Sequence, residues 1–324
     1  MLENEQSFDP SFDTVEARIK HLSKMSGFER NPSNTPDCTL ERGGERFVSR
    51  LVTNHKDPIL KKVQQLFENT FKKEEVCSLS DMKDSIKGMK DDKSGETVYY
   101  RVVVLNDEKG ELICTSTGMT MRLRDQNNQP TNEAIYFACY GAGKKGVGMK
   151  MMSLANEIFV SSLISAKADA KAIGVNLIGC IAEGSTAGEA EGTLGGEAPG
   201  EAFANRLGFK RVMIGNKEAE YYQPAMDFNP DTGKPAKGAG AVLEHPEVMP
   251  FGPNLSKEQL IQAGRAAFIW NYFWDESDFN NTVAYQEHVK YVAGYFKIFE
   301  DSINQPGELA LVTKQERKNT VQNT

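Results

Sequence analysis

From Glu45 the chain takes on a strongly patterned texture. Arg46-Phe47-Val48-Ser49-Arg50-Leu51-Val52-Thr53 has strand composition, and Asp57-Pro58 then supplies an N-cap followed by the favoured first helical residue. Behind it Ile59, Val63, Leu66 and Phe67 recur at helical spacing. β-Branched and aromatic residues predict a second strand over 97–105. Asn106-Asp107-Glu108-Lys109-Gly110 then turns the chain into a third strand from 112 to about 123, an antiparallel hairpin or meander. After a polar loop with Pro130, the apolar run from Ala134 to Tyr140 ends in a glycine cluster, Gly141-Ala142-Gly143-Lys144-Lys145-Gly146-Val147-Gly148, that opens onto a helix. Met149, Met152, Leu154, Ile158, Phe159, Leu163 and Ile164 form its apolar stripe to about Ala172, and Gly174 stops it. A strand over 175–182, a loop rich in glycine, glutamate and alanine over 184–200, a short helix over 201–207 and extended pieces at 209–214 and 220–228 follow. The predicted order is β-α-β-β-β-α-β-α-β-β.

The flanks are patterned differently. Residues 1–44 mix charge, asparagine, proline and glycine and predict one helix around Thr14 to Met25, which reads as a loosely packed N-terminal extension. Residues 229–253 are loop-like, with Pro230, Pro235, Pro246, Pro250 and Pro253 among several glycines, and read as a seam between domains. Ser256-Lys257-Glu258-Gln259 is a capping box into a helix to about Trp274. A second helix is expected from roughly 281 to 303, with Val289, Val292, Phe296 and Phe299 on its apolar face, before a polar tail from Thr313. The division is therefore an extension (1–44), a catalytic-sized domain (45–228) and a loop with C-terminal helices (229–324). No internal repeat interrupts it.

Composition narrows the partners. Over 324 residues, 39% hydrophobic and 26% charged places the chain among soluble globular proteins. A net charge of −7 argues against a general nucleic-acid binder and suits a cationic or neutral substrate. The N-terminus has no apolar h-region and no run approaches the length of a membrane span, so a cytoplasmic protein with no membrane partner is expected. Cys38, Cys77, Cys114, Cys139 and Cys180 are odd in number and form no CxxC pair, which predicts reduced, mostly buried thiols. His245 near Glu244 and Glu247, and His288 beside Glu287, lack any metal-ligand spacing, so no metal is expected. Gly184-Ser185-Thr186-Ala187-Gly188 is not a nucleophile elbow, and Cys139 has no core histidine after it to activate it. The cluster Phe268, Trp270, Tyr272, Phe273 and Trp274 is apolar on several helix faces, suggesting burial against the core or against a second subunit in a homodimer.

Glycines with lysines where a strand becomes a helix suit an anion, because the first-turn N–H groups are unpaired and the helix dipole favours negative charge. Gly141-x-Gly143-x-x-Gly146 matches a dinucleotide fingerprint by letter. The setting does not match. Glu183 lies 37 residues beyond Gly146 where about 20 is usual, and three antiparallel-looking strands come first. Val147, in place of lysine after Gly146, excludes a P-loop.

Residues 45–228 instead resemble the GNAT acyltransferase superfamily in element order and in two motifs. Gly143-Lys144-Lys145-Gly146-Val147-Gly148 is similar to its [Q/R]-x-x-G-x-[G/A] turn, with glycine in the first place. Ala202-Phe203-Ala204-Asn205-Arg206-Leu207-Gly208-Phe209 is similar to its A-x-x-F-Y-x-x-x-G-F region. The resemblance implies an α+β fold, a mixed and mostly antiparallel sheet flanked by helices, here with a C-terminal helical extension. It implies acetyl-CoA, or another short acyl-CoA, as co-substrate and direct transfer to a primary amine on a small molecule or protein. In its terms the backbone of Tyr136, Phe137 and Ala138 pairs with pantetheine as an extra strand, and the Ala138 N–H polarises the thioester. The amides of Gly143, Lys144, Lys145, Gly146, Val147, Gly148 and Met149 hold the pyrophosphate. Ala204 stands where the family commonly has a tyrosine acid, so Tyr140, Tyr221 or Tyr222 substitutes, or the thiolate leaves unaided. Glu183, at the end of the strand after the cofactor helix, is the candidate base. Glu183, Glu189, Glu191, Glu197 and Glu201 would either attract a cationic amine or simply be solvated. A CoA-binding module without turnover, supported by Ala204, and a Rossmann-type oxidoreductase remain as alternatives.

Overall fold

The computed structural model describes residues 14–71, 76–90, 95–144, 150–185, 204, 207–252, 254–273 and 275–313. Its strands are β1 (Glu29–Asn31), β2 (Cys38–Arg42), β3 (Glu45–Val52), β4 (Met89–Lys90), β5 (Thr97–Val98), β6 (Tyr100–Asp107), β7 (Leu112–Arg124), β8 (Pro130–Gly143), β9 (Asn176–Ser185), β10 (Lys210–Ile214), β11 (Lys217–Glu218), β12 (Tyr221–Gln223), β13 (Val242–Pro250) and β14 (Leu309–Val312). The helices are α1 (Val15–Ser26), α2 (Ile59–Glu68), α3 (Leu79–Lys87), α4 (Lys150–Ala172), α5 (Lys257–Asn271) and α6 (Thr282–Ile303). Local signals set several of these ends. Thr14 Oγ1 accepts from the Ala17 N–H, Ser256 and Gln259 form a reciprocal capping box, and the Asn281 side chain caps α6.

One sheet runs β1-β2-β3-β6-β7-β8-β9-β13-β10-β11, with β12 also on β13 and β14 also on β10; β4 and β5 pair separately. Its neighbours are antiparallel except β8 and β9. The fold is α+β, a mostly antiparallel sheet flanked by helices with further helices at the C-terminal end. Helices α1 and α4 cover one face, whereas α2, α3 and α5 cover the other, with α6 packed on α5 and β12. Strand β7 is buried nearly end to end, as a strand with both faces covered must be.

The described N-terminal residues, 14–44, are not a loose extension. β1 and β2 continue the sheet beyond β3, and α1 packs on α4. Their cover explains why α4 buries Asn156, Glu157, Ser161, Ser162 and Ser165 as well as its apolar stripe. Arg30 Nη1 bonds Glu157 Oε2 at 2.9 Å with both side chains at 3% exposure or less, and Ser161 Oγ accepts from the same guanidinium at 3.1 Å. Burial raises the Glu157 carboxyl above its usual range, against the hydrogen bonds from Ser26 and Arg30.

Nor are residues 229–253 a seam. β13 lies inside the sheet, between β9 and β10, despite Pro246 and Pro250. The Phe251 N–H donates to Ile178 O at 2.8 Å, so odd-numbered β13 residues bond β9, and Pro246 and Pro250 point their nitrogens away from it. On that other side β12 pairing ends at Glu244 and β10 pairing starts at Glu247, so Pro246 falls where no ladder donor is needed.

Arg30→Met would leave Glu157 buried without its cation. Unfolding in urea should show a loss of about 3–5 kcal/mol. Unchanged stability would mean that α4 does not depend on the N-terminal cover.

Candidate functional site

Two neighbouring strands part near the middle of the sheet. The parallel pairing of β8 with β9 runs from Glu133 opposite Asn176 to Ala138 opposite Ala182 and stops there. β8 continues to Gly143 on β7, and β9 continues to Ser185 on β13. At that point Thr117 faces Tyr140 and Gly118 faces Ala138, so Cys139 is an extra residue in a β-bulge, a local bend that turns β8 aside. Gly118 permits the bend by close approach. A Cβ there would lie 2.4 Å from Phe137 O and 2.4 Å from the Tyr136 hydroxyl.

The glycine cluster therefore begins in the strand rather than in the turn. The Lys144 N–H donates to Ile113 O at 2.8 Å, which ties Ala142 and Lys144 to β7 and aims the backbone groups of Gly141 and Gly143 the other way, toward the side β9 has left. Gly141 is exposed, with nothing within 4 Å of an added Cβ. Gly143 is covered by Met151 of α4, whose Sδ would stand 2.5 Å from a Cβ, so a longer side chain at 143 must displace that methionine. Among the expected cofactor residues, Tyr136 and Phe137 pair with Cys180 and Ile181, with buried side chains, and Ala138 is the last rung. Lys144 is exposed, its ammonium 3.4 Å from a Glu111 carboxylate oxygen. Lys145, Gly146, Val147, Gly148 and Met149 lie outside the described residues.

One residue beyond the last rung stands Glu183. Its Oε1 accepts hydrogen bonds from both the Tyr221 and the Tyr272 hydroxyls, which are 3.5 Å from each other. Burial raises the Glu183 carboxyl, and the two phenols act against that rise. Tyr221 and Tyr272 are pushed well above the usual phenol range, by burial first and then by the Glu183 charge. Tyr221 packs edge-on to Phe268 at 5.7 Å and Phe299 at 5.6 Å. Tyr222 is separate from the group, its ring 5.8 Å from Tyr295 of α6. Tyr140 follows the bulge, its ring 5.1 Å from Phe67 and 5.5 Å from Phe71. Burial, then the nearby Cys77, Cys139 and Glu183, keep its phenol protonated well above the usual range. A small cavity of about 30 Å³ beside Glu183 is walled by Phe137, Ile181, Val212, Val248, Leu260 and Phe299.

The sequence does not single out Tyr272 for the site; its spacing groups it with the packing aromatics of its helix. No local signal marks it, because it reaches Glu183 only through the way α5 crosses the sheet. The thiols agree with the sequence: the described cysteines are free, Cys38, Cys114 and Cys180 are buried, and burial pushes Cys139 well above the usual range. In the second motif Gly208 (φ 93) closes the turn, with the Gly208 and Phe209 amides on Ala204 O, and Phe209 packs on Phe159 of α4 at 5.8 Å. Phe203, Glu189, Glu191, Glu197 and Glu201 lie outside the described residues.

Several solved structures show a limited similarity to this chain. The ribosomal-protein-S18-alanine N-acetyltransferase from Escherichia coli shares 13% identity and covers 64% of this chain and 99% of its own, at a TM-score of 0.33. A GNAT superfamily phosphinothricin acetyltransferase from Sinorhizobium meliloti, in complex with AcCoA, shares 14% over 63% of this chain and 89% of its own, at 0.33. An acetyltransferase of the GNAT family from Listeria monocytogenes shares 13% over 64% and 99%, at 0.30. No family model and no curated protein matches the chain. These overlaps are remote. Among the described residues no cluster of three or more metal-capable side chains occurs, and no helix is long and apolar enough to cross a membrane.

Gly118→Ala should test the bend. A methyl group against a backbone oxygen in a packed strand should cost about 1–3 kcal/mol, read as a lower Tm in calorimetry. A variant as stable as the parent would show that the bulge does not need glycine opposite it.

Proposed function

We propose that this chain is an acyl-CoA-dependent N-acyltransferase that moves an acetyl or other short acyl group to a primary amine. The observation that carries the reading is the parting of β8 and β9 at Ala138 and Ala182, with Glu183 one residue further on. A backbone edge left open beside a bulge offers amide and carbonyl groups to an extended ligand, as strand addition requires, and pantetheine is such a ligand. The open edge lies at Gly141 and Gly143, not at the Tyr136–Ala138 stretch that the sequence resemblance suggests, because those residues are already paired with Cys180–Ala182 of β9, and Lys144 brings a positive charge toward the phosphates. By the sequence resemblance, the Ala138 N–H at the last rung polarises the thioester oxygen.

Direct transfer then needs one base and one acid. The amine nitrogen attacks the thioester carbonyl, the carbon–sulfur bond breaks, the amine proton passes to Glu183, and the departing thiolate takes a proton from Tyr140 or leaves as the anion. Tyr140 is the acid candidate by place, since it directly follows the bulge that turns β8 aside. Tyr221 serves Glu183 instead, and Tyr222 packs on Tyr295.

Glu183→Gln should keep acetyl-CoA binding by calorimetry and lose roughly 100-fold or more in kcat/KM across an amine panel, the usual scale for removing a general base. Full activity in this variant would remove Glu183 from the mechanism. Thermal stabilisation of the parent protein by NAD but not by CoA would overturn the acyltransferase reading. Tight CoA binding with no turnover on any amine would replace it with a binding module.

A further inference from the structure

We propose that Tyr272, delivered by the end of α5, is a positioning residue that holds Glu183 ionised and leaves one chosen oxygen for the acceptor amine. The role rests on the acyltransferase reading; the contact that carries it does not. Tyr272 is 1% exposed and lies 89 residues along the chain from Glu183, so only the docking of α5 brings them together. Tyr221 and Tyr272 both donate to Oε1, an arrangement that leaves Oε2 outside the pair and orients the carboxylate plane. A carboxylate moved out of water stays ionised only where donors replace its hydration, and hydrogen bonds to a charged group are stronger than neutral ones. Other groups face the site, among them Glu247 of β13, which lines the same cavity as Glu183. Cys139 and Tyr140 on β8 are neutral thiol and phenol, Glu244 on β13 adds negative charge near Tyr221, and α6 contributes the apolar ring of Phe299. The two phenols donate to the Glu183 carboxylate and so favour its ionised form.

The sign follows directly. Hydrogen bonds to the ionised form favour it, so deleting one moves Glu183 toward its protonated form, and a base works only when ionised. Tyr272→Phe keeps the ring against Phe268, 5.4 Å away, and removes only the hydroxyl. The acidic limb of its kcat/KM profile should move to higher pH, with about tenfold lower kcat/KM at pH 6, the scale of one hydrogen bond to a charged group, and near-parent rates at pH 9. Tyr221→Phe should move the limb the same way, which keeps the test decisive should the first variant fold poorly. An equal loss at every pH, with the limb unmoved, would reduce Tyr272 to a packing residue and overturn the proposal.

Infrared titration gives a second readout that needs no turnover. The carboxyl band that disappears in Glu183→Gln should titrate at higher pH in Tyr272→Phe than in the parent. An unmoved band defeats the proposal whatever the activity. A moved band in a protein that transfers no acyl group defeats the acyltransferase reading and retains the coupling of Tyr272 to Glu183.

Discussion

A peptide group can serve one ladder partner on each side, and at the centre of this sheet that rule is strained between β8 and β9. Beyond Ala138, β8 stays on β7 and β9 stays on β13, both antiparallel, and the parallel pairing between them is given up. Parallel pairing is slightly weaker per residue, and the bulge at Cys139 turns β8 aside where it ends. Backbone polar groups in the middle of a sheet cannot be left without partners cheaply, so an opening there is a place for an extended ligand or for water. Everything distinctive about the candidate site follows from this opening: the aim of Gly141 and Gly143, the position of Tyr140, and the placing of Glu183 just past the last rung.

The rest of the chain buttresses that opening from both faces. On one side α4 presses Met151 over Gly143 while its middle is buried beneath α1 and the Arg30–Glu157 pair. On the other side α5 and α6 pack over the strands and deliver Tyr272 and the ring of Phe299 to Glu183 and Tyr221. β13 links the two halves, since it both draws β9 away from β8 and pairs with β12, which carries Tyr221. The described parts of the segments flanking the patterned middle are structural members of the same sheet and its helical cover.

Much of this was legible along the chain. Helices with caps written beside them, α1 behind Thr14, α5 behind Ser256 and α6 behind Asn281, are local objects whose ends depend on a few adjacent residues. The β6–β7 hairpin and the strand leading to the glycines announce themselves through period and turn residues, and Glu183 stands out as the carboxylate at a strand end. β1, β2 and β13 do not, because their residues are polar or proline-containing and become strands only when a neighbouring edge supplies the hydrogen bonds. Pro246 reads as a breaker until the gap between β12 and β10 pairing is seen.

The sequence by itself determined that α1, α2, α4, α5 and α6 are helical and where the candidate glycines and carboxylate stand, since each of these rests on spacing within a few turns. The α+β fold came from the resemblance in element order, and α3 is not among the predicted helices. Tertiary structure alone decided that Gly141 and Gly143 are strand rather than turn, that Tyr222 is packed away, and that Tyr272 meets Glu183. Those outcomes depend on strand register and on the crossing of α5 over the sheet, and both are settled by contacts between residues far apart in the chain.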